Sequence, residues 1–93
     1  MNRDEDVLTI VADRLAWRET GEEIVVLDLQ GSVYFGLNPT GARLWTMLVE
    51  GATRRALVSR LVEEQEVGPG RAADDVEAFL TALRDEDLLA VSR

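Results

Sequence analysis

Ser32-Val33-Tyr34-Phe35-Gly36-Leu37-Asn38-Pro39-Thr40-Gly41-Ala42-Arg43-Leu44 is the stretch whose reading decides the fold. Val33, Phe35 and Leu37 alternate with Ser32, Tyr34 and Gly36, the period of two expected of a half-buried strand. Asn38-Pro39 ends it. An Asn side chain accepts a hydrogen bond from an otherwise orphaned helix N–H. Pro at the first helical position has φ preset and lacks an N–H that would go unpaired there. A strand end and a helix start are thus fixed together.

Upstream, Glu23–Leu29 is the strongest strand signal, with Ile24-Val25-Val26-Leu27 at its centre. Gln30-Gly31 reads as a two-residue hairpin loop, turning strand 23–29 back into strand 32–37. Leu15-Ala16-Trp17-Arg18 alternates and Thr20-Gly21-Glu22 reads as a turn, which places a first strand near 14–19. The expectation is a three-stranded antiparallel meander with its first and third strands at the edges. Residues 7–11 fit either a short strand or an extended lead-in, and residues 1–6 a loose tail.

Downstream, Gly41, Leu44, Trp45, Leu48 and Val49 recur at helical spacing from Pro39 to about Glu50, and Gly51 is a natural stop. Thr53 is an N-cap for a second helix with Leu57, Val58, Leu61 and Val62 on one stripe, running to about Glu66. Gly68-Pro69-Gly70 breaks the chain. A third helix is expected from about Arg71 or Asp74 to Asp87, with Val76, Phe79, Leu80 and Leu83 as its core stripe; Asp74 with Glu77 resembles a capping box. Leu88–Val91 leaves it as an extended tail. The whole reads as one α+β domain over residues 1–93, a three-stranded antiparallel sheet followed by three helices, close to a winged helix-turn-helix.

The 93 residues contain no cysteine and no histidine. Disulfides, thiolate chemistry, Cys/His zinc sites and His-based acid–base catalysis are therefore excluded. The adjacent carboxylates Asp74/Asp75, Glu63/Glu64 and Asp85/Glu86/Asp87 sit on helices, where neighbours point about 100° apart and do not converge on a metal or a proton. Neither an enzyme nor a bound cofactor or metal is expected. The acidic start lacks a signal peptide's basic, apolar pattern, and no run approaches a membrane span, so a soluble cytoplasmic chain is expected. Net charge is −8 and every basic residue is arginine. Such a domain repels nucleic acid and anionic membranes and attracts basic partners. A winged-helix DNA-binding regulator is the rival function. Its last helix would carry Asp74, Asp75, Glu77, Asp85, Glu86 and Asp87 against Arg71 and Arg84, and phosphates would repel it.

The edge of strand 32–37 is unusual. Natural edges are blunted by Lys, Pro or an inward charge, yet no charge and no Pro occurs from Gly31 to Asn38. Gly36 inside the strand suits close approach of another backbone. The occupant could be residues 7–11, the C-terminal tail, a second copy or a visiting peptide.

Leu27-Asp28-Leu29, Gly31-x-x-Tyr34-x-x-Leu37-Asn38-Pro39-Thr40-Gly41-Ala42, Leu44-Trp45, Gly51 and Asp75-Val76-x-x-Phe79-Leu80-x-x-Leu83-x-x-x-x-Leu88-Leu89 together resemble PqqD-like proteins, the leader-recognition elements of ribosomal peptide pathways. The Leu-Asn-Pro-Thr-Gly-Ala run is most similar to the stand-alone members of lasso-peptide biosynthesis. Glu86-Asp87 departs from the pattern, where the family often ends its helix with Gly. The resemblance implies that a precursor's leader adds as a strand beside the third strand, in a groove closed by the third helix. It also implies partners, a cysteine-protease-type leader peptidase and a macrolactam cyclase; a leader-binding chaperone of another PqqD-type pathway is the alternative within the family. The peptide-binding residues expected are then Ser32, Val33, Tyr34, Phe35, Gly36 and Leu37 on the strand, with Asp75, Ala78, Phe79, Ala82 and Asp85 on one helix face. Ala78 and Ala82 leave room for a strand, and Asp75 and Asp85 can meet a basic leader residue.

Overall fold

The computed structural model describes residues 5–11, 13, 15–30 and 33–92. In chain order these form β1 (Val7–Ile10), β2 (Leu15–Thr20), β3 (Glu23–Asp28), β4 (Val33–Leu37), α1 (Pro39–Glu50), β5 (Ala52–Thr53), α2 (Arg54–Gln65), α3 (Pro69–Asp85) and β6 (Leu89–Ser92). The expected α+β meander is present, with sheet order β2-β3-β4. The first hairpin closes on a two-residue loop, at the turn expected there. Thr20 pairs with Glu23 across Gly21-Glu22, and Gly21 supplies a φ of +68° that side chains disfavour. In the second hairpin Asp28 pairs with Val33, a register centred on Gln30-Gly31. Residues 31 and 32, where the tighter loop was expected to close, lie outside the described residues.

A second sheet was not foreseen. β1 pairs antiparallel with β6 along its whole length and with β5 at Val7 and Leu8, giving the order β5-β1-β6. The 7–11 lead-in and the C-terminal tail thus satisfy each other's backbones, and Val11 N–H donates to the Leu88 carbonyl at 2.8 Å. The Thr9 hydroxyl donates to the Leu48 carbonyl at 2.9 Å and ties this sheet to α1.

Between the sheets and helices lies the core. Leu44, Trp45 and Leu48 of α1, Leu57 and Leu61 of α2, Val76, Leu80 and Leu83 of α3, and Ile24 and Val26 of β3 are buried. Val49, expected on the α1 core stripe, is instead 39% exposed. Trp17 meets Trp45 edge-on, with ring centroids 5.6 Å apart. That contact fastens the meander to α1 and adds about 0.5–1.5 kcal/mol to the area the rings bury.

Helix ends follow the capping rules. Asn38 accepts from the Gly41 N–H at 2.8 Å, and Thr53 accepts from the Ala56 N–H at 3.1 Å. α3 departs from expectation: it starts at Pro69 with Gly68 as N-cap, so Asp74 is helix interior rather than a cap. Glu77 pairs with Arg54 across to α2 instead of closing a capping box. Gly68-Pro69 starts a helix because Pro costs nothing at a first-turn position. The far end comes at Asp85, two residues before the expected stop. Leu88 N–H donates to the Leu83 carbonyl and Asp87 N–H to the Arg84 carbonyl, with Asp87 at φ +58°. This is a Schellman motif, Asp87 taking the left-handed position that Gly usually holds.

Glu66 holds the same left-handed conformation, φ +53°, at the end of α2. Glu66→Gly relieves that strain and should raise stability by up to ~1 kcal/mol. Thermal unfolding should show a melting temperature several degrees higher.

Candidate peptide-binding groove

The backbone of the meander has a polarity that its turn sets. In an antiparallel sheet each residue's N–H and C=O point to the same side, and successive residues alternate. A two-residue hairpin makes the flanking pair, Thr20 and Glu23, mutually hydrogen-bonded. Glu23, Val25 and Leu27 therefore bond to β2, while Ile24, Val26 and Asp28 bond to β4. Their β4 partners are Leu37, Phe35 and Val33. Tyr34 and Gly36 are left with N–H and C=O directed away from β3. β4 is an edge of its sheet, and among the described residues no strand pairs with that side.

Side chains obey the complementary alternation. Tyr34 is 73% exposed and Gly36 is exposed on the outer face. Phe35 and Leu37 point inward and are only half-buried against the core. The reason is the space beside them, a cleft of about 440 Å³ walled by Phe35, Gly36, Leu37, Ala82, Leu83, Asp85, Glu86 and Leu88. A second cleft of about 260 Å³ lies against Asn38, Thr40, Gly41, Leu44, Asp75, Ala78 and Phe79. α3 thus runs along the β4 edge in the opposite sense, Asp75 near the Asn38 end and Asp85 near Phe35. α1 and α3 pack closely at Gly41, where a Cβ would lie in contact with the Phe79 ring and the Asn38 side-chain oxygen, 3.4 Å from each.

Of the residues singled out in the sequence, Phe35, Gly36, Leu37, Ala82 and Asp85 line the larger cleft, and Asp75, Ala78 and Phe79 the smaller. Val33 belongs to β4. Tyr34 offers its backbone to the groove but its ring to the outer face. Ser32 lies outside the described residues. Leu83, Glu86 and Leu88 were missed, as were Asn38, Thr40, Gly41 and Leu44. Only the 6→1 Schellman bond folds Leu88 back over Leu83, and no local pattern announced it.

The arginines that a DNA-binding helix would offer are largely engaged. Arg54 pairs with Glu77, Arg60 lies 3.8 Å from Glu64, and Arg43 lies 2.9 Å from the same carboxylate. No helix among the described residues is long and apolar enough to cross a membrane.

The sequence profile described as coenzyme PQQ synthesis protein D (PqqD) matches residues 23–89. Among solved structures, TbiB1 in complex with the TbiA(beta) leader peptide is 33% identical, with a TM-score of 0.80 over 87% of this chain and 93% of that one. A lasso peptide synthetase B1 complexed with the leader peptide is 24% identical, with a TM-score of 0.79 over 89% and 96%, a likeness of fold. No curated protein matches the chain.

Ala82 is exposed at the mouth of the larger cleft. Ala82→Trp should fill it with stability changed by less than ~0.5 kcal/mol, as expected for an exposed helical site. Urea unfolding checks this.

Proposed function

The chain belongs to the PqqD family, and from that premise we propose that it binds the leader of a ribosomally made precursor peptide as a strand added to β4 beneath α3. The observation that carries this reading is the outward backbone of Tyr34 and Gly36, which no strand among the described residues pairs, directly beside an apolar cleft. Strand addition takes affinity from main-chain hydrogen bonds and specificity from pockets for alternate side chains. Leader residues opposite Phe35 and Leu37 would turn inward to the clefts, and those opposite Tyr34 and Gly36 would turn out to solvent. The TbiB1 complex, a relative with the same fold and a leader peptide bound, supports the class of ligand.

Two or three inward anchors at ~1.5–3 kcal/mol each, less the cost of ordering a flexible peptide, give micromolar to sub-micromolar affinity. We read the whole chain as one recognition domain acting without chemistry of its own, since it has no His or Cys. It would hold the leader for a cysteine-protease-type peptidase and a macrolactam cyclase in the cytoplasm. The lasso assignment rests on Leu37-Asn38-Pro39-Thr40-Gly41-Ala42.

Backbone polarity yields a paired test. Tyr34→Pro deletes an outward N–H, a position where an edge strand tolerates Pro. Calorimetric titration with the leader should show at least ten-fold weaker binding by a protein that melts within a few degrees of the parent. Phe35→Pro removes a donor to β3 and should destabilise the fold by ~3 kcal/mol. Unchanged leader affinity in the folded Tyr34→Pro variant would rule strand addition out. Ala82→Trp, which fills the cleft, should also abolish binding.

A further inference from the structure

The groove has an electrostatic pattern with a fixed repeat. Asp75 lines the smaller cleft and Asp85 the larger. Among the described residues no arginine lines either one. Neither carboxylate has an ion pair among the described residues, whereas Glu64 and Glu77 elsewhere on the helices are paired. The two lie ten residues apart on α3, about 15 Å along its axis at 1.5 Å per residue. β4 runs beside them and ends in an edge with two outward-bonding residues, Tyr34 and Gly36.

An added strand carries side chains on one face at every second residue, about 6.7 Å apart. Two inward side chains four residues apart are separated by about 13 Å. That spacing matches the Asp75–Asp85 separation once the reach of a Lys or Arg is included. Three residues apart, one of the two would point to the outer face and meet neither carboxylate. Symmetry makes the argument independent of strand direction, because a pair at i and i+4 reads the same either way.

Resting on the strand-addition reading above, we infer that the groove selects extended peptides with basic side chains at i and i+4, flanking an inward apolar residue at i+2. The central residue enters against Phe35, Leu37 and Phe79, and the cations meet the carboxylates at the two ends. Charge complementarity at a partly exposed rim discriminates more than it binds. Each exposed pair contributes a few-fold, and salt screens it.

The experiment uses fluorescein-labelled synthetic peptides of alternating Val and Ser with the intact chain, read by anisotropy at low and high salt. The neutral host peptide reports strand addition alone. Arg at i and i+4 on the Val face should tighten binding about ten-fold over the host at low salt, and Arg at i and i+3 only about three-fold. Glu at i and i+4 should weaken it. Asp75→Asn and Asp85→Asn should each take back about three-fold of the Arg gain, and the double variant Asp75→Arg/Asp85→Arg should prefer the Glu peptide. High salt should collapse the differences. If host and Arg peptides bind equally, or the i+3 and i+4 spacings do, the charge register is wrong while strand addition stands. If no peptide binds, or Tyr34→Pro leaves binding of the host unchanged, strand addition fails and this inference with it.

Discussion

Everything in the groove depends on which side of β4 its amides face, and the turn at Gly21-Glu22 decides that from two strands away. A two-residue loop with positive φ at its first position imposes one hydrogen-bonding phase on β2 and β3. Pleated alternation carries the phase across β3 to β4. Shifting the first hairpin by one residue would invert it, directing the Tyr34 and Gly36 amides at β3 and moving Phe35 and Leu37 to the outer face. The same count that hides Ile24 and Val26 in the core therefore sets the outward donors.

α3 is the other wall, and its position is fixed at both ends by backbone chemistry rather than by a long stripe alone. Gly68-Pro69 starts it early enough to bury Ala72. The Schellman turn at Asp87 then sends the chain back at once, so that Leu88 is fully buried and β6 can pair with β1. A left-handed Asp costs about a kilocalorie where Gly would cost nothing. Satisfied carbonyls of Leu83 and Arg84, together with the Leu83–Leu88 apolar closure, offset it. Asp87 thus stops the helix from the left-handed position that Gly usually holds.

Legibility in the sequence followed the range of the interactions. Short-range signals were sufficient for β3, β4, α1 and α2, where alternation, Asn38-Pro39, Gly51 and Thr53 act within a turn or two. That Asp75, Ala78, Phe79, Ala82 and Asp85 share one side of a helix could be read because helical geometry is regular, and the five line the two clefts beside β4. Gly68-Pro69-Gly70 carried opposite meanings, breaker and first turn, and only packing of Ala72 and Val76 selects the second. The β1–β6 pairing joins the two ends of the chain. No local pattern encodes so distant a partner, and short apolar runs such as Val7–Ile10 and Leu88–Val91 fit strand and lead-in equally. Gln30-Gly31 has turn chemistry as good as Gly21-Glu22, and the β3–β4 register is centred on it.

An open, uncharged strand edge is normally a route to self-association, and the groove is built against it. The opposite edge, β2, carries Arg18 and Glu19, which blunt it. On the β4 side the protection sits on α3 instead. A second copy adding its own β4 would bring another Asp75 and Asp85 and another net charge of −8 toward the same carboxylates. Like charges at that distance repel most at low salt. A short basic peptide meets no such penalty and has no helix of its own to collide with α3. If β4 takes a visiting strand as proposed, charges on the overhanging helix would leave the amides available while disfavouring a second copy, a discrimination that a lysine or proline in β4 would achieve only by closing the edge to both.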